Sequence, residues 1–251
     1  MRVSIFSKSE KIIALKRHIV LLWCAIFSIA MGYLEGIVVI YLRELYYPDG
    51  FKFPLVIGMQ RILGIEWIRE FTTLIMLAAL AIIAGKNKLQ RFFYFFYCFG
   101  IWDIFYYIAL KHLINWPESF LTFDILFLIP ITWIGPVIAP LICSLVFVVF
   151  SMVIIMRIND GANINIKKLH WVFFYAGNFL VFISFIRDFG TLIIYNGYWT
   201  KFFSLVSDIR FQNLVATYIP ESFLWNVFLS GEILVLIFYI IVIKSNRNLS
   251  R

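Results

Sequence analysis

"EWIREFTTLIMLAALAIIAG", residues 66–85, opens with a turn that holds three charged residues and then runs for fifteen residues without a charge. The stretch has the length of about 20 residues that a helix needs to cross a hydrocarbon core. It reads as a transmembrane helix with Glu66, Arg69 and Glu70 at its head. Charges so placed need either the headgroup region or partners on other helices.

The rest of the chain repeats the apolar theme. Of 251 residues, 63% are hydrophobic and 14% charged, against roughly 45–50% and 25% in ordinary globular chains. One residue in five is aromatic. A water-soluble globule of this size cannot hide that much apolar surface, so the solvent is lipid. The fold class is an all-α polytopic transmembrane bundle in a single domain, 1–251. Six segments are long and apolar enough to span: about 19–42, 64–85, 92–112, 134–156, 171–194 and 222–244. No internal repeat is visible.

The formal net charge of +8 does not point to nucleic acid, because the basic residues lie between apolar segments and near the ends. There they orient the chain and meet anionic membrane lipids. Residues 1–18 read as a retained basic lead-in, with "SEKIIALKRHI" as a short amphipathic helix on the membrane surface. The lead-in, the tight turn "GKNKLQR", the loop after the fourth segment and the tail all carry Lys and Arg. The pattern predicts both termini on the cytoplasmic side of an inner membrane. Cys24, Cys98 and Cys143 fall inside apolar stretches without metal-type spacing, and read as small buried hydrophobes.

The opposite connections differ in kind. "YYPDGFKFPL" (46–55) combines turn signals with interfacial aromatics. "NWPESFLTFDILFLIPITWIGPVIAP" (115–140) is too apolar for a solvated loop and is broken by Pro117, Pro130, Pro136 and Pro140. Such backbone survives at membrane depth only against protein or a cavity, which predicts a re-entrant or interfacial helix over 118–130 on the extracytoplasmic side. Residues 195–220 read as an amphipathic helix along the same surface.

At 1.5 Å rise per residue, Glu35 lies about 11 Å inside the first segment, measured from Arg43 at its end. Arg69 and Glu70 lie roughly 8 Å inside the second, and Asp103 about 14 Å inside the third. Arg187 and Asp188 lie about 10 Å inside the fifth, and Glu232 roughly 15 Å inside the sixth. All are in the half predicted to face outward. Glu66 is expected to stay at the interface. Arg69 is a natural partner for Glu35 or Asp103. The deep acids outnumber the deep bases, so acids are protonated, hydrated or bound to a cation. Glu35, Glu70 and Asp103 are therefore the candidate catalytic acids, with Arg69, Arg187, Trp102 and Tyr106 as candidate substrate contacts. A divalent metal on Glu35, Glu70, Asp103 and His112, which Asp124 could join, would be iron, manganese, zinc or calcium. Buried Arg–acid pairs that only pin helices are the competing account.

The runs "GYLEGIVVIYLRELYYPDGFKFPL", "EWIREFTTL", "FGIWDIFYYIALK" and "WPESFLTFDILFLIPITWIGPVIAP" together resemble a family of uncharacterised bacterial polytopic integral membrane proteins over residues 32–140. The resemblance implies a membrane fold and supplies no activity. Three functions are consistent with the sequence. The first is a membrane enzyme or ligand site for a lipid or other apolar substrate. The second is a non-catalytic subunit or assembly factor with membrane-protein partners. The third is a permease component, disfavoured because the charges occupy one half only.

Overall fold

The computed structural model describes residues 8–56, 60–199 and 208–245, with the backbone only for 8–17 and 60–63. Among them the chain forms α1 (Lys8–Tyr46), α2 (Gln60–Ala84), α3 (Lys88–Ile114), β1 (Phe123–Phe127), β2 (Trp133–Pro136), α4 (Ile138–Asn159), α5 (Lys168–Tyr195), α6 (Ile209–Val215) and α7 (Trp225–Lys244). Six helices are long and apolar enough to cross a membrane: His18–Tyr46 of α1, Gly64–Ala84 of α2, and α3, α4, α5 and α7. The protein is a multi-pass α-helical membrane protein.

Helices solve the problem of a solvent that offers no hydrogen bonds, and small residues then let them approach one another. A Cβ on Gly32 would sit 2.6 Å from the Trp102 carbonyl oxygen, so α1 lies backbone to backbone on α3. Gly100 does the same for α3 against the Ser144 carbonyl of α4. Gly177 and Gly231 face each other across α5 and α7, each 2.7 Å from the other's oxygen by the same measure. Around these contacts an aromatic core closes: Phe92 meets Trp171 edge-on at 4.9 Å, and Phe174 meets Phe238 at 5.0 Å. The central helix is α3, packed by α1, α2 and α4, while α1 and α2 touch each other little. That divergence positions the site described below.

The segment read as a re-entrant helix is instead an antiparallel hairpin. Asp124 pairs with Gly135, Ile125 with Ile134 and Phe127 with Trp133, with an irregularity between Ile125 and Phe127. The prolines explain the outcome, because a helix over 118–136 would lose N–H groups at Pro130 and Pro136. In a hairpin the two strands satisfy each other, and the pairing continues through Val137 N–H to the Thr122 oxygen (3.0 Å) and Ile138 N–H to the Phe120 oxygen (2.9 Å). The segment therefore tucks against the bundle as expected, but with a period of two.

Other boundaries move as well. The fourth span begins at Ile138, because residues 133–136 belong to β2. The basic lead-in is not a separate surface helix, since α1 continues unbroken from Lys8 to Tyr46. Its 39 residues are about 58 Å long, so it extends well beyond the ~30 Å apolar core. Of the 195–220 connection, residues 200–207 lie outside the described set, and Ile209–Val215 forms the short helix α6, capped by Asp208. The turn between α2 and α3 is stopped by Asn87, whose side chain accepts the Gln90 N–H as an N-cap.

Candidate functional site

A cleft of about 110 Å³ lies between α1, α2 and α3 and is roofed by the hairpin. Its wall follows from helical spacing. Glu35, Val39 and Arg43 are one turn apart on α1; Glu66, Arg69 and Glu70 stand at i, i+3 and i+4 on α2; on α3 Trp102 and Tyr106 are one turn apart, with Asp103 next to Trp102. Residues three or four apart share one face of their helix, and Asp103 lines the cleft from the side of that face on α3. From the roof come Asp124, Ile125 and Leu128.

The deepest layer is built on Arg69. Its Nη1 reaches Glu35 Oε1 at 2.8 Å and its Nε reaches Glu66 Oε2 at 2.6 Å. Trp102 Nε1–H donates to the other Glu35 oxygen at 3.2 Å. Glu66 is thus buried and paired, because the Arg69 beside it leaves a donor for it. Glu70 does not pair with Arg69. Its Oε2 accepts the Leu128 backbone N–H at 2.9 Å, supplying an acceptor that the hairpin edge lacks. Asp103 Oδ2 accepts the Ser144 hydroxyl at 2.8 Å, across the α3–α4 contact.

Nearer the roof, Arg43 Nη2 meets Asp124 Oδ1 at 3.0 Å, with both side chains buried. The guanidinium carbon also lies 3.8 Å from the Trp116 ring centre and 4.5 Å from that of Phe51, an arrangement that attracts a cation to the ring faces. Its Nη1 has no acceptor among the described residues. Burial pushes the Asp124 carboxyl up to about 6, opposed by the Arg43 charge and by hydrogen bonds from the Ile125 N–H and the Tyr107 hydroxyl. This latch joins the end of α1, the 46–55 connection and the hairpin. Reading Arg43 as the headgroup end of its helix overlooked it. The spacing Glu35–Val39–Arg43 was the available signal.

The structure gathers Glu35, Arg69, Glu70, Trp102, Asp103 and Tyr106 at one cleft. Two expected members stand elsewhere. Arg187 is exposed on α5, where it bonds Asp188 at 3.3 Å and Ser222 at 3.4 Å. His112 is exposed near the end of α3 and does not line the cleft. Glu232 also lies outside it, buried on α7 beside the Cys143 thiol. The expected metal set is therefore not assembled: Glu35 is held by Arg69 and Trp102, and His112 is absent from the cleft. Among the described residues no three His, Cys, Asp or Glu side chains converge as metal ligands. Trp102 serves Glu35 with its indole N–H, and Arg69 is engaged by two carboxylates, so neither stands free as an anion clamp or stacking plate.

No protein-family model matches the chain, and no curated protein or solved structure is significantly similar to it. What the site can do is therefore argued from its groups. Glu70 and Asp103 each keep one oxygen, Oε1 and Oδ1, with no donor among the described residues. A carboxyl with one oxygen held and one unoccupied can accept a ligand's hydrogen bond or exchange a proton with it.

Proposed function

We propose that the cleft is a binding site for an amphiphilic membrane molecule, a lipid or other apolar substrate. Its polar end enters between α1 and α2 and meets Glu70 and Asp103. The observation that carries this reading is a cleft among spanning helices that joins mostly apolar walls to charged side chains, where α1 and α2 make few contacts and carboxyl oxygens of Glu70 and Asp103 remain without donors among the described residues. Ionisable groups at such depth are expensive and are kept where they do something. The distribution of Lys and Arg supports an orientation in which the cleft opens to the extracytoplasmic leaflet of an inner membrane. If a reaction takes place there, Glu70 and Asp103 are the acid–base pair. Glu35 is the acid held in place by Arg69.

Native mass spectrometry of the purified protein tests the reading. Wild type should retain a bound amphiphile. Glu70→Gln should lose most of it while remaining folded, because the Gln amide oxygen still accepts the Leu128 N–H. A folded Glu70→Gln protein with unchanged bound lipid would refute the assignment.

A further inference from the structure

We propose that the ligand's polar end is a primary ammonium group, an inference that rests on the ligand-site reading above. Both guanidinium groups at the cleft are already engaged. Arg69 is held by Glu35 and Glu66, at 2.8 and 2.6 Å. Arg43 is held by Asp124 at 3.0 Å and covered by the Trp116 and Phe51 rings. Arg69 is thus closed to an anionic headgroup, and Arg43 offers only its Nη1, which has no acceptor among the described residues but belongs to a guanidinium flanked by two rings.

Besides Arg43 Nη1, the unused groups are acceptors. Glu70 is 5% exposed, and its Oε1 has no donor among the described residues, although the side chain lines the cleft. Asp103 Oδ1 is in the same condition. Oxygens that line a cleft and lack a donor can accept from a ligand, so the complementary ligand brings N–H or O–H groups. Charge selects between these. Glu35, Glu66, Glu70, Asp103 and Asp124 face two arginines across the cleft, and a cation offsets the excess where a hydroxyl does not.

The walls agree with this choice. Tyr47 and Tyr106 are further aromatic side chains lining the cleft, and aromatic rings attract ammonium groups. The space of about 110 Å³ is of the order of the ~150 Å³ cavity that admits a benzene ring. It holds a compact head, while an alkyl chain stays in the bilayer between α1 and α2. The bare carboxyl oxygens need N–H donors, which a trimethylammonium group lacks. The same head chemistry could come from an aminophospholipid or from a free long-chain amine.

The test is calorimetric titration of the full-length protein in maltoside micelles with four probes that share one chain: dodecylammonium, dodecyltrimethylammonium, dodecanol and dodecyl phosphate. Dodecylammonium should bind about tenfold or more tightly than each of the others, the factor expected of one charge-assisted hydrogen bond. Glu70→Gln and Asp103→Asn should each lose about tenfold for dodecylammonium, with unchanged helical circular dichroism reporting that they are folded. Native mass spectrometry against phosphatidylethanolamine and phosphatidylglycerol then distinguishes the source. Retention of the amine lipid alone assigns the headgroup, and retention of neither, with dodecylammonium still bound, assigns a free amine. Equal affinity for dodecylammonium and dodecanol, or an ammonium preference that survives both substitutions, overturns the ammonium proposal and leaves the ligand site standing. Failure of all four probes to bind saturably overturns both.

Discussion

Arg43→Met should weaken the protein strongly at pH 8 and only mildly at pH 5. The substitution removes the cation that faces Asp124 at 3.0 Å while filling part of the space between Phe51 and Trp116. Breaking a buried ion pair from one side costs about 3–5 kcal/mol, because the remaining charge is left uncompensated. Loss of the two ring contacts adds about 1–2 kcal/mol. The pH dependence follows from Asp124, whose carboxyl is pushed from 3.8 up to about 6 by burial, against the pull of Arg43. A folded value raised above the unfolded one means that the folded chain holds the proton more tightly. The stabilisation from that proton is complete below about 4 and is lost as pH rises through about 6. Removing Arg43 raises the carboxyl further, so at pH 5 Asp124 is neutral and needs no partner. Only the ring contribution should then remain. Unfolding in mixed maltoside–dodecyl sulfate micelles, followed by tryptophan fluorescence at both pH values, measures the difference. Arg43→Met/Asp124→Asn should recover about 2–3 kcal/mol of the pH 8 loss, since the double variant buries no charge. An equal penalty at pH 5 and pH 8, or a double variant no more stable than Arg43→Met, would refute this account of the latch.

Three other outcomes follow from the packing and the loops. Gly177→Val should lower stability by about 1–3 kcal/mol or more by forcing α5 from α7, since even a Cβ there lies 2.7 Å from the Gly231 oxygen; unchanged mixed-micelle unfolding would contradict that close approach. Cysteine at Phe120, which is 63% exposed, should react with a water-soluble maleimide, whereas cysteine at Ile134, 1% exposed, should resist it. Comparable labelling at the two sites would show an ordinary loop in place of the packed hairpin. In intact cells, cysteine at Asp49 should label without permeabilisation and cysteines at Asn87 and Gly161 should require it; the reverse pattern would invert the orientation.

Much of the architecture was present in one-dimensional signals. Six spans, their approximate limits and the partition of charge along them depend on composition over windows of about 20 residues, and lipid enforces that rule on each segment separately. The location of a polar cluster was legible for the same reason, because each deep charge is unusual on its own helix. Partner choice was not. Arg69 chose Glu35 and Glu66, and Glu70 turned to a backbone N–H of the hairpin, because those groups happen to converge when α1 and α2 lean on α3. Arg43 and Asp124, separated by 81 residues, meet only because the 115–140 segment folds back as two strands. The prolines argue against a continuous helix in that apolar run but do not by themselves select a hairpin, since a run apolar at nearly every position shows neither a helical nor a strand period. The tertiary structure decided it by giving the strand backbone its donors and acceptors and by bringing Glu70 to the edge. Arg187 and His112 were grouped with the site by depth alone, and depth says nothing about which way a helix face turns. The sequence by itself thus determined which segments are long and apolar enough to span a membrane and which charges they carry. Only the packing of helices around α3 determined which of them share a cleft, because that depends on the rotation of each helix about its axis and on contacts between residues far apart in the chain.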